Sequence, residues 1–397
     1  MKNIQNLIFT DFYHKDFLPL TFFKPFAELR SGIFTFRQRW ELLTNLKTTG
    51  YFTENYLLPL YNSPSPGISL IINPNIVPTQ KLIEKILQIN TGESLWMGDL
   101  FIAALTNDIP VDWSDVQGYF KQNTSPSQIS NTFEIECFTR PWELFLWNQK
   151  MFAIDINLLP EDFVLVNEIP GVFIKGAGIY MHPSAIIQPG TVINATSGPV
   201  ILDKHSEIME GCMIRGPFYL GEHAQLKMGA KIYGPTTIGP YCKVGGEVNN
   251  SIFTAYSNKA HDGFIGNSVI GEWFNLGADT NNSNLKNNYS EVTVWSYKEN
   301  GWVNTGLQFC GLIMGDHAKS AINTQFNTGT VCGPFANIFM PGFPPKHIPA
   351  FSWGGHRSNK FQLDKAIEMI HRVMERRQVK PTEEYLMIVE HVYQHLT

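Results

Sequence analysis

The sequence predicts an α/β region, then a left-handed parallel β-helix, then a pair of C-terminal helices. Three observations carry this reading. Strand-like and helix-like runs alternate over residues 1–165, aliphatic residues recur every six positions over 170–350, and two amphipathic runs fill 351–397. These three stretches are the expected domains, and 397 residues suffice for more than one core.

In the first stretch NLIF, ISLIIN and ESLWMGDLFIAAL read as strands. GIFTFRQRWELLTNL, TQKLIEKILQI and PWELFLWNQKMFAIDINLL read as helices between them. Such alternation suits a sheet with helices packed on it.

The middle stretch is more regular. Leu202, Ile208, Ile214, Leu220, Leu226, Ile232, Ile238 and Val244 follow one another at a spacing of six. Neither a helix nor an alternating strand has that period. A hexapeptide β-helix does, because each flat face turns one aliphatic side chain inward and Gly or Pro serves the corners. Upstream, Met181, Ile187 and Ile193 keep the spacing, with Ile174, Tyr180, Ile186 and Val192 as a rival frame. Downstream, an interruption at 249–263 is expected before Phe264, Ile270 and Leu276 resume it, and Met314, Phe326, Cys332 and Ile338 continue. Two strand-like runs around Asn300–Gly301 read as an extruded hairpin. FQLDKAIEMIHRVMERRQ and EEYLMIVEHVYQHL read as helices covering the open end of the coil.

Bulk properties narrow the function. Hydrophobic content of 43% and charged content of 16% suit an ordered protein, and a net charge of -5 without a basic run argues against nucleic-acid binding. No apolar run is long enough to span a bilayer, and no signal-peptide pattern opens the chain. Five scattered cysteines without a CxxC suggest free thiols and a cytoplasmic location. Neither HExxH nor paired ligand spacing occurs, so no metal site is expected in the coil.

The stretches LPLTFFKPFAELRSGI, GPTTIGPYCKVGGEVNNSIF, SNKAHDGFIGNSVIGEWFNLGADTNNSNLKNNY and FSWGG, with the order of domains, carry a resemblance. The chain resembles the bifunctional family that acetylates glucosamine 1-phosphate and then uridylylates it, the bacterial sugar nucleotidyltransferases with a hexapeptide-repeat acyltransferase domain. That resemblance implies a nucleotidyltransferase-like first domain, acetyl-CoA as co-substrate, an amino-sugar phosphate or nucleotide sugar as partner, and a homotrimer.

It also implies roles for individual residues. His261 matches the general base that takes a proton from the sugar amine, a task that imidazole performs at neutral pH. Asn275 and Asn284 match the two asparagines that contact the aminosugar. Phe264 stands where the family has tyrosine, Asn249 where it has a phosphate-binding lysine, and Lys231 near its arginine. Lys259 and Lys286 are candidates for the missing positive charge. Asn249, Asn250, Asn281 and Asn282 also suit corner ladders, since Asn tolerates left-handed backbone and bonds nearby main chain. His182, His205, His223 and His317 are expected on the outside of the coil.

The first domain departs from the nucleotidyltransferase pattern. No glycine-rich loop follows NLIFTDF, and ISLIINPN ends without the metal-binding aspartate. Lys24 and Arg30 remain as weak candidates for holding a nucleotide or phosphate, and Mg²⁺ is expected only if that domain is active. Acyl transfer is therefore the leading expectation. Sugar-1-phosphate nucleotidyl transfer and a non-catalytic sugar-nucleotide-binding scaffold are the alternatives.

Overall fold

The computed structural model describes residues 4–110, 115–129 and 134–396. The chain divides into two compact units. One comprises Met1–Phe17, Lys24–Leu29 and Phe34–Thr139, the other Leu18–Phe23, Arg30–Ile33 and Arg140–Thr397.

The first unit is built on a six-stranded sheet, in the order Thr48–Phe52, Asn6–Thr10, Ser69–Ile72, Leu100–Thr106, Glu93–Met97, Ser125–Gln128. The first three strands run parallel. Leu100–Thr106 runs antiparallel to both its neighbours, reached through a turn in which Gly98 has φ 59°. Thr35 and Gln38 form a reciprocal cap on the helix Phe36–Thr44, and Thr79 caps Gln80–Gln88. Two strands escape sequence reading for local reasons. TTGYF has a glycine at its centre, and SPSQ is an exposed edge strand without an apolar face.

The second unit is the coil. Leu202, Leu220 and Ile238 pair on adjacent parallel strands of one sheet, eighteen residues apart. Ile208, Leu226 and Val244 stack on a second sheet, and Ile214 and Ile232 on a third. Three six-residue faces thus make one turn, and all eight aliphatics are buried in one continuous core. Each contributes ~1.5–3 kcal/mol by leaving water. The first and second sheets have ten strands each and the third has six. Upstream, Ile187 and Ile193 are buried whereas Ile186 and Val192 are exposed, which decides between the two frames there.

The expected interruption at 249–263 is not a loop. Strands Glu247–Asn249, Ile252–Phe253 and Asn258–Lys259 continue the three sheets through it. Corners shorten instead, so that the interior residues become Val248, Phe253, Lys259 and Ile265. Phe264 therefore faces outward and its neighbour Ile265 faces in, correcting the frame expected there.

The hairpin forms as expected, with Thr293–Ser296 antiparallel to Gly301–Asn304. The terminal helices are Leu363–Glu375 and Glu383–His395. Residues 140–165, grouped by sequence with the α/β region, go with the coil by compactness. Asn148 donates to the carbonyl of Pro235 at 2.8 Å, and Thr237 donates to that of Gly32 at 2.8 Å.

One corner carries an aromatic stack. His205, His223, Tyr241, Tyr256, Trp273, His317, Phe335 and Phe351 all have positive φ, and their rings follow one another at 4.2–6.2 Å. The expectation that His317 lies on the outside needs correction, because it is buried with Nε2 2.8 Å from the Tyr385 hydroxyl.

Candidate functional site

His261 is exposed in the bend that joins Asn258–Lys259 on the second sheet to Phe264–Gly266 on the third. The corner is tight. Gly263 has φ 114°, and a β-carbon there would run into the backbone of Thr280. Asp262 follows the histidine, and its carbonyl accepts from the backbone N–H of Asp279 at 3.0 Å.

What holds this bend is Lys259. The residue takes an interior position in line with Leu226 and Val244 and is only 2% exposed. Its Nζ donates to the carbonyl of Gly245 at 2.9 Å and to the carbonyl of His261 at 2.9 Å. Burial pushes its pKa down to about 8, partly opposed by Asp262 and Asp279. A lysine so committed ties one corner to the next, and its ammonium is turned away from solvent.

A second group lies where the third sheet ends at Phe264–Gly266 and a separate two-stranded sheet begins with Asn281–Asn282. The Phe264 amide donates to Asn281 Oδ1 at 2.8 Å. Asn282 bonds both main-chain groups of Gly266, at 2.8 and 3.1 Å. Asn284 Nδ2 donates to Asn267 Oδ1 at 2.8 Å. A side chain at Gly266 would strike both the Phe264 ring and the Asn284 amide, so those two residues meet over this glycine. Lys231 is exposed in the outward row that runs through Glu247 to Phe264, two strands or ~10 Å away. Asn249 pairs with Gly266 in the neighbouring strand.

Asn275 is not part of that group. It lies on the outer side of the second sheet, where its Oδ1 accepts from Asn258 Nδ2 at 2.8 Å. Lys286 is half-buried after the third sheet and donates to the Ser290 hydroxyl at 3.4 Å and to the carbonyl of Glu291. His261 occupies the corner between the face of Asn275 and the face of Phe264 and Asn284.

Lys24 and Arg30 fall in different compact units. Lys24 is buried in the first. Arg30, 6% exposed, donates to the carbonyl of Ile33 and lies over the Tyr219 ring at 5.8 Å. In the first unit, the end of the first strand is occupied by Asp11, which accepts from Thr53 at 2.6 Å and from the Phe26 amide at 3.0 Å, with His14 Nδ1 at 2.7 Å. Asn73 and Asn75, after the third strand, donate to the carbonyls of Phe101 and Phe138. Asn73 Oδ1 accepts from the Asn75 amide at 3.2 Å, whereas Asn75 Oδ1 is buried without a hydrogen-bond partner, and among the described residues no three His, Cys, Asp or Glu gather as metal ligands. All five cysteines are free thiols, and none of the described helices is long and apolar enough to cross a membrane.

Residues 6–163 match the sequence pattern of the sugar nucleotidyl transferase family. The chain is also 35% identical over 147 residues to the bifunctional sugar-1-phosphate nucleotidylyltransferase/acetyltransferase of Sulfurisphaera tokodaii. That match covers 36% of this chain and 36% of the relative, so the chain spans about a third of the length of the curated relative it matches. The first match supports the nucleotidyl transferase-like reading of the first region, and the name of the relative joins nucleotidylyl transfer to acetyl transfer in one protein.

Proposed function

We propose that the protein is an N-acyltransferase that moves an acetyl group from acetyl-CoA to the amine of a sugar phosphate or nucleotide sugar. The observation that carries this is His261, an exposed imidazole on a coil corner whose carbonyl is anchored by the buried Lys259. In the reaction the sugar nitrogen attacks the thioester carbonyl while His261 accepts the amine proton. The C–S bond then breaks, and coenzyme A leaves as its thiol once it has taken up that proton. Phe264 and Asn284 supply a flat ring and an amide beside the corner, suited to the face and hydroxyls of a sugar. The name of the Sulfurisphaera relative, which includes acetyltransferase, supports the reading.

A homotrimer belongs to the same proposal. The outward row of the third sheet exposes Phe173 (71%), Val192 (41%) and Met213 (56%) on adjacent strands, an apolar stripe that a second copy would cover. The first unit, with Asp11 and Asn73 spent on structure, is proposed to bind a sugar phosphate or nucleotide and to transfer nucleotidyl groups slowly or not at all.

Thiol release from acetyl-CoA in the presence of glucosamine 1-phosphate tests the reaction. Release that requires the amine supports it. No release with any of a panel of amino-sugar phosphates and nucleotide sugars favours the binding scaffold instead.

A further inference from the structure

A cavity of ≈ 430 Å³ lies between the outer side of the second sheet and the end of the helix Leu363–Glu375. Lys243, Asn258, Asn275 and Lys319 stand on four successive strands and form its floor, while Arg376 and Arg377 close it from the helix end. Four cations thus surround one space, and no carboxylate is among the described residues that line it. Three strand spacings separate Lys243 from Lys319, or ~14 Å.

Such a set is costly in an empty protein. Burial pushes Lys319 down to about 8, and burial together with Arg377, Lys227 and Arg376 lowers Lys243. Repelling cations held together without an acid mark a place built for an anion. The neutral groups fit as well. Asn258 uses its Nδ2 on Asn275 Oδ1, which leaves Asn275 Nδ2 as a donor on a residue that lines the same space. The rings of Tyr256 and Trp273 in the wall are stacked on each other at 4.2 Å, so they offer edges rather than faces to a ligand. That favours phosphate and hydroxyl groups over a stacked base.

We infer that this cavity is a binding site for the phosphate ester of a small molecule, held by Lys243, Lys319, Arg376 and Arg377. It supplies positive charge that is missing beside Gly266, where Asn249 stands on the neighbouring strand, and that Lys259, turned inward on the second sheet, does not present. Asn258 lines the cavity three residues before His261, within ~11 Å of chain reach. The phosphate has two chemical sources in the proposed reaction, the acyl donor and the sugar acceptor.

Titration calorimetry on the full chain, with coenzyme A and with glucosamine 1-phosphate as separate probes, tests the inference. Lys319→Gln and Arg377→Gln should each weaken binding of one probe by about tenfold or more, and the probe affected names the source. Arg377→Gln changes a residue at the helix end and decides the matter if Lys319→Gln fails to fold. Unchanged affinity for both probes in Arg377→Gln, or no binding of either probe to the parent, overturns the assignment. The choice of probes rests on the proposed reaction, but binding is read without turnover. A protein that binds but does not acylate would therefore sink the reaction and leave the pocket standing.

Discussion

Lys259 Nζ lies 2.9 Å from the carbonyl oxygen of His261, and the lysine that makes this bond occupies an interior position of the coil. An aliphatic residue would pack there at lower cost, as Leu226 and Val244 do in the turns before it. The lysine is expected to trade stability for a fixed corner.

Lys259→Met separates the two effects. Packing should survive, because methionine fills a similar volume. Turnover should fall about 10–100-fold as the His261 bend loses its tie. Burial brings the lysine from 10.5 to about 8, so between those pH values the unfolded chain holds a proton that the folded chain has released. Stability of the parent should therefore rise with pH across that window. Lys319, also lowered to about 8, contributes a similar rise. Thermal melts from pH 7.5 to 10 should show a smaller rise in Lys259→Met than in the parent. Equal turnover and equal slopes would leave Lys259 without a positioning role.

The two asparagines should behave differently. Asn284→Ala removes an amide beside Phe264 and is expected to raise the acceptor KM with little change in kcat. Asn275→Ala also frees Asn258, its bonded neighbour on the second sheet, and should weaken the phosphorylated ligand that the cavity holds. Steady-state kinetics with each substrate varied in turn distinguishes them. Identical profiles would mean that the two faces serve one ligand in one way.

Sedimentation equilibrium should give three times the chain mass of 45.0 kDa. Met213→Lys puts a charge in the exposed apolar stripe and should shift the protein toward monomer. A parent that sediments as a monomer at working concentration contradicts the proposed assembly.

Pyrophosphate release from nucleoside triphosphates with Mg²⁺ and hexosamine 1-phosphates should be slow or undetectable. Asp11 is committed to Thr53 and the Phe26 amide, and Asn73 is committed to the Phe101 carbonyl and the Asn75 amide. Fast release, abolished by Lys24→Ala, would show that the first unit uses a site built from other residues.

Much of the coil was legible because each of its three faces buries one aliphatic side chain, which prints a period of six on the chain from Leu202 to Val244. Legibility stopped where corners shorten. Val244 and Val248 are both interior but only four residues apart, and beyond them the frame no longer tells Phe264 from Ile265. For the same reason the interior place of Lys259 could not be read, and it passed for a surface cation. His261 is exposed, and its chemistry rests on the resemblance. The phosphate cavity was hidden for another reason. Its floor is one row of a parallel sheet, and its arginines arrive from a helix more than fifty residues further along the chain.

In the proposed reaction His261 accepts the amine proton during acyl transfer. Its most direct test compares parent and His261→Ala in thiol release from acetyl-CoA with the best acceptor found, alongside calorimetric binding of coenzyme A. Turnover is expected to fall by roughly 10²–10⁴-fold with coenzyme A affinity unchanged. Equal turnover in the two proteins would contradict it.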